Sequence, residues 1–380
     1  IRPCDWSSDV CSSDLAAAMS AALLAGCAAG SARPKPAELP PNVAVIGVQQ
    51  AWSARYSAVD FPLQVATAGN RVVLATGNGT VVTLDAATGG EVARASLGEP
   101  LSAGVGSDGR LSAVVTRGNE VVALDGGTTL WRYKLKSQSY TAPLVAGGRV
   151  FVLNADRTLT GLDGRTGRLL WTVQRPVEPL VLRQEGLLMA VGNTLVAGLS
   201  GRMVGVDPDT GNIRWEVPVA SARGTNDVER LVDLVGGVAR QGSVVCARAF
   251  QTAVGCVDAG TGNLGWSKAA DGGTGLAGDG ETVFGTESDG KVMAWRASDG
   301  DRVWLSERLR WRVLTAPLAL GRSVILGDST GLVHMLSRTD GAPLNRLTTD
   351  GSGVAATPVA AANTLVVVTR AGGVFGFRPE

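Results

Sequence analysis

The sequence contains a single histidine, His334, among 380 residues, and that scarcity removes several chemistries at once. No His-rich metal site can be assembled, and a Ser-His-Asp triad would hang on that one residue. Charge of one sign is missing too: 35 Lys and Arg stand against 34 Asp and Glu, for a formal charge of +1. There is no basic footprint for a nucleic-acid backbone, and charges of alternating sign form no acidic or basic tail. None of the five cysteines is adjacent to another. Apolar spacing of 3.6 over ten or more residues is absent outside one N-terminal run, apart from a turn near Asn226 to Leu234. Glycine is what abounds. Its 51 residues, against a usual share of ~7%, point to many tight turns. Length taken at ~150 residues per domain suggests two or three domains, a prior that closed β-folds break.

The apolar run Leu15 to Ala25 is too short for a membrane span of ~20 residues. It reads as the apolar region of a signal peptide, residues 15–26, ending in Leu24-Ala25-Gly26-Cys27. A small-residue cleavage site directly before a cysteine looks like a bacterial lipobox, so Cys27 is expected to become the diacylated first residue of the mature chain. Alanine at position 28 resembles the signal for outer-membrane delivery. Residues 27–42, rich in proline and without apolar periodicity, read as a flexible tether. Residues 1–14 carry one Arg and three Asp and repeat themselves, Cys4 to Asp9 against Cys11 to Asp14. They resemble translated adapter sequence and are expected to be a non-native leader.

From residue 43 onward one repeat recurs. Its clearest copies are Gly161 to Trp171, Gly205 to Trp215 and Gly255 to Trp266, each an alternating strand, an Asp, a Thr-Gly turn and a Trp eight residues after the Asp. Asp85, Asp125, Asp163, Asp207, Asp258, Arg296, Ser337 and Arg378 occupy the equivalent position, 38 to 51 residues apart. Eight copies of about 40 residues have the period of four-stranded propeller blades. The Asp accepts hydrogen bonds from backbone N–H groups of the turn, Gly takes positive φ there without steric cost, and the Trp supplies apolar area against the neighbouring blade. The last copy ends at Glu380 without an outermost strand, and Gln49 to Ser53 carries the same kind of Trp, Trp52. Residues 46–55 are therefore expected to complete the final blade. The fold expected is all-β, an eight-bladed β-propeller over residues 43–380, closed by its N-terminal strand with no open sheet edge at the join.

This repeat resembles the pyrroloquinoline-quinone-like propeller repeat; the signatures of WD40 and kelch repeats are absent. Lipobox, tether and eight such blades together resemble the BamB family of outer-membrane assembly lipoproteins over nearly all of residues 24–380. The resemblance implies a non-enzymatic scaffold on the periplasmic face of the outer membrane. Its implied partners are a POTRA domain of the central barrel subunit BamA, the rest of that assembly complex, and unfolded outer-membrane protein clients. Two segments match the family's loops that touch BamA: Leu180-Val181-Leu182-Arg183, and Asn226 to Asp233 inside the longest inter-repeat step. Leu180, Leu182 and Arg183 carry over as an apolar and guanidinium anchor, a composition typical of interface hot spots, and Asp233 as the acidic member. Val235 departs from the pattern, since an aspartate is expected there, which implies a more apolar contact or a partner that has changed with it. Read from the residues alone, Leu180 and Leu182 also suit alternating core positions of an inner strand.

Quinoprotein dehydrogenases share the blade pattern and are the enzymatic alternative. They use adjacent cysteines beneath the quinone and carboxylate calcium ligands. Here no cysteines adjoin and the repeated Asp residues serve turns, so no catalytic residue, cofactor or metal is expected. A lipoprotein propeller binding another periplasmic protein is a further alternative. Asp207 to Asn212 lacks the spacing and terminal Glu of a calcium loop. His334, between Val333 and Met335, has no cysteine or carboxylate at ligand spacing and reads as a strand histidine. Cys246 and Cys256 lie on two arms of one hairpin, and pairing about residue 251 sets them opposite, as a cross-strand disulfide or as two buried thiols.

Overall fold

The computed structural model describes residues 34–174, 180–221 and 231–380, and Ala37–Glu380 form one compact unit. That unit is an eight-bladed β-propeller of eight four-stranded antiparallel sheets, and the described residues contain no helix. Seven blades are continuous in sequence: 66–96, 106–134, 144–173, 188–218, 234–269, 277–306 and 318–348. The eighth takes its three inner strands from 359–379 and its outermost from Val48–Arg55, with Trp52 opposite Gly376. The closure expected around Trp52 is therefore the one observed. It removes the need for separate domains: one ring buries the core between consecutive blades.

Six outermost strands place a Trp at the same register position: Trp52, Trp131, Trp171, Trp215, Trp266 and Trp304. Each indole Nε1–H donates to a backbone carbonyl in the turn of the following blade, as in Trp131 to Gly164 at 2.8 Å and Trp171 to Pro208 at 3.0 Å. The turn glycine beneath is needed twice over. Gly211 has φ +77°, and a Cβ there would press on the Trp171 ring at 2.8 Å. The Thr-Gly and Trp parts of the repeat are thus two halves of one inter-blade joint.

Blades 1 and 7 lack the Trp and carry Ala93 and Asn345 in its place. In blade 7 the amide of Asn345 donates to Ile46 O at 2.8 Å and accepts from Asn42 Nδ2 at 2.9 Å. It holds the incoming chain where other blades hold their neighbour. Ahead of it, Ala37 N–H donates to Arg310 O at 2.9 Å, Arg312 Nη2 donates to Ala37 O at 3.1 Å, and Leu39 packs on the core beside Trp304 and Leu314. Residues 37–46, of which 37–42 fall within the span read as tether, are bonded along the outside of the ring.

Four of the five repeated Asp residues cap their own turns; Asp125, whose turn is shorter, instead faces Arg110 at 3.8 Å. Oδ1 of Asp163 accepts the Thr166 N–H at 2.8 Å, and the same bond recurs at Asp85, Asp207 and Asp258. Arg214 and the turn N–H groups hold the Asp207 carboxyl down at about 2. These carboxylates are committed to turns. At the opposite end of the ring, each blade-to-blade connection is bonded to the middle-hairpin turn of a neighbouring blade, for example Ala155 N–H to Gln138 O at 2.7 Å and Gly201 N–H to Val232 O at 2.8 Å. All long connections therefore gather at one end.

Candidate partner-docking site

Two of those connections carry the residues singled out from sequence. Leu180 to Arg183 lie in no strand; the inner strand of the fourth blade begins at Leu188. The alternating-core reading of Leu180 and Leu182 is thereby excluded. Leu180 is 41% exposed, Arg183 is exposed with its guanidinium 5.9 Å from the Tyr140 ring centre, and Leu182 is half-buried. Of the second segment, Asn226 to Arg230 lie outside the described residues, as does Cys27, while Leu231 to Asp233 are described.

Asp233 ties the two connections together. Its Oδ1 receives Arg157 Nη2 at 2.8 Å and its Oδ2 receives the Leu182 N–H at 3.2 Å. The same Arg157 Nη2 donates to Leu180 O at 3.1 Å. Arg157 belongs to the middle turn of the third blade, adopts φ +57° and is buried. Further along, Gly236 N–H donates to Glu185 O at 2.8 Å and Leu187 N–H to Leu234 O at 3.1 Å. Segments about fifty residues apart in sequence thus form one rigid ledge, with Leu180 and Arg183 on its outside. Asp233 spends both oxygens within the chain and acts as a positioning group.

Val235 is 1% exposed and pairs with Gly186 and Arg248. A change at 235 alters packing beneath the ledge; it does not alter the outer surface directly. This corrects the inference that valine there makes the contact face itself more apolar.

Beside the ledge, at the ring axis, lies a cavity of about 680 Å³ whose lining includes Arg183, Glu185, Val313 and Arg370. Burial pushes the Glu185 carboxyl up to about 8, since charge is costly away from water. Among the described residues no three His, Cys, Asp or Glu side chains cluster as metal ligands.

His334 is buried, and its Nε2 lies 2.9 Å from Asp328 Oδ2. The sequence reading placed no carboxylate near it; the hairpin that pairs Leu326 with His334 brings Asp328 back onto the ring. Burial pushes the Asp328 carboxyl up, but bonds from His334, Thr330 and the Leu332 N–H outweigh it and hold it below the usual range. Arg312 Nη1 donates to the same Asp328 oxygen at 3.0 Å. The cluster is a buried knot that fixes the turn of the seventh blade.

Cys246 and Cys256 stand directly opposite on neighbouring strands, with Cα atoms 3.9 Å apart and the sulfurs joined.

A family model described as "Outer membrane protein assembly factor BamB" matches residues 77–306. The protein of that name from Burkholderia pseudomallei is 37% identical over 358 residues, covering 92% of this chain and 93% of its own. That from Bordetella pertussis is 33% identical, covering 91% and 92%. Among solved structures, BamB from Moraxella catarrhalis superposes with a TM-score of 0.80 at 25% identity, over 87% of this chain and 99% of that one. With a family model spanning more than half its length and relatives aligned nearly end to end, this chain belongs to the BamB family of outer membrane protein assembly factors.

Proposed function

We propose that this chain is a non-enzymatic scaffold of outer-membrane β-barrel assembly, anchored through a lipid on Cys27 to the periplasmic face of the outer membrane and docked on a POTRA domain of BamA. The observation that carries the docking reading is the ledge built by Arg157 and Asp233, which presents Leu180 and Arg183 outward from a fixed backbone. An exposed apolar residue beside a guanidinium already stacked on Tyr140 loses little conformational freedom on binding. Asp233 contributes by holding the ledge, through Arg157 and the Leu182 N–H. The repeated carboxylates are tied up in turns, which speaks against a quinone-and-calcium site built from them. Pull-down of BamA with Leu180→Ala, Leu182→Ala and Arg183→Ala combined is expected to lose most of the partner; undiminished recovery would count against this site.

A further inference from the structure

The connection from the sixth to the seventh blade, Glu307 to Pro317, exposes two large apolar side chains at the ring end that carries the docking ledge: Trp311, 39% exposed, and Val313, 64% exposed. Trp311 is held outward by its backbone. Its φ is +62°, a conformation that a bulky residue adopts only under constraint and that clusters at functional sites. The constraint is visible: the Trp311 N–H donates to Asp289 O at 2.6 Å, and Gly290 lies so close to the Trp311 nitrogen that no side chain would fit there. The Arg310 guanidinium sits 5.3 Å from the indole centre, and Arg308, three residues before Trp311 on the same connection, is exposed.

This same connection receives the N-terminal chain, through the Ala37 N–H to Arg310 O bond and the Arg312 bond to Ala37 O. Only ten residues separate Ala37 from Cys27, a contour of at most about 35 Å at 3.3–3.6 Å per residue. An acyl group on Cys27 therefore keeps Ala37, and the connection bonded to it, within about 35 Å of the bilayer. Apolar rings with an amphipathic edge partition to the headgroup level, and guanidinium groups pair with lipid phosphates.

We propose that Trp311, Val313 and Arg308 form a membrane-contact patch that seats the ring on a phospholipid surface, beside and distinct from the protein-docking ledge. This rests on acylation of Cys27. The test uses the full-length lipidated chain in vesicles of phosphatidylethanolamine and phosphatidylglycerol, with an environment-sensitive fluorophore on Val313→Cys and, as control, on Val92→Cys, an exposed position on the outermost strand of the first blade. Brominated lipids are expected to quench the probe at 313 at least twofold more than the probe at 92. Equal quenching overturns the patch, as does shielding of 313 that appears only when BamA is added. Flotation separates the two readings: a chain that fails to float with vesicles sinks acylation and patch together, and one that floats without preferential quenching sinks the patch alone.

Discussion

Arg157 Nη2 lies 2.8 Å from Asp233 Oδ1, joining the third blade's turn to the connection entering the fifth, 76 residues away. Both side chains are largely removed from water, where deleting one member of an ion pair leaves the other uncompensated. Asp233→Ala is expected to cost roughly 2–4 kcal/mol of stability and to weaken BamA binding although the carboxylate faces inward. A double-mutant cycle with Arg157→Met checks the linkage: coupling near zero in both stability and affinity would show the two residues acting separately.

The indole joints predict a second asymmetry. Trp171→Ala removes a buried ring and a hydrogen bond to Pro208 and is expected to cost about 3–5 kcal/mol. Gly211→Ala perturbs the same joint from the other side, through positive φ and contact with the ring. Urea melts should place both well below wild type, whereas the exposed outer-strand change Val303→Ser should fall within about 0.5 kcal/mol of it.

Cys246 and Cys256 are opposed in register on adjacent strands, and in an oxidising compartment the bond is proposed to persist. Mass spectrometry of the folded chain after alkylation without reductant is expected to find neither residue modified. Replacing both by alanine should lower stability by about 3 kcal/mol, the chain-entropy value for a loop of this length. Two alkylated thiols after denaturation would contradict the bond.

Glu185 sets a pH dependence. Its folded pKa, pushed up to about 8, lies above the ordinary 4.5, so the folded state binds the proton more tightly than the unfolded one. Stability from this group is complete below about pH 4.5, declines as pH rises, and is lost above about pH 8. Glu185→Gln should therefore match wild type near pH 4 and exceed it at pH 9 by an amount on the order of a few kcal/mol, read from thermal midpoints. A constant difference across that range would show that desolvation does not raise this carboxyl.

The blades were legible because each is built from short-range signals: an Asp that caps its own turn, a glycine directly after the Thr, a Trp in fixed register. Trp52 gave away the ring closure for the same reason, and the cysteine register followed from hairpin symmetry. What escaped were side-chain contacts made across a hairpin turn or between blades. Nothing in Asp156-Arg157 marks that turn as the support for Leu180 and Asp233, and Asp328 reaches His334 only because a hairpin folds it back. The missing Trp of the seventh blade showed as a weak repeat, yet its reason, Asn345 holding Asn42 and Ile46, required the path of the N-terminal segment.

The docking claim is tested most directly by photo-cross-linking in cells, with a photoreactive residue placed at Leu180 or at Val303, an exposed position on the outer strand of the sixth blade. The account predicts an adduct with BamA from position 180 and none from 303. Absence of the adduct at 180, or equal adducts at both positions, would contradict it.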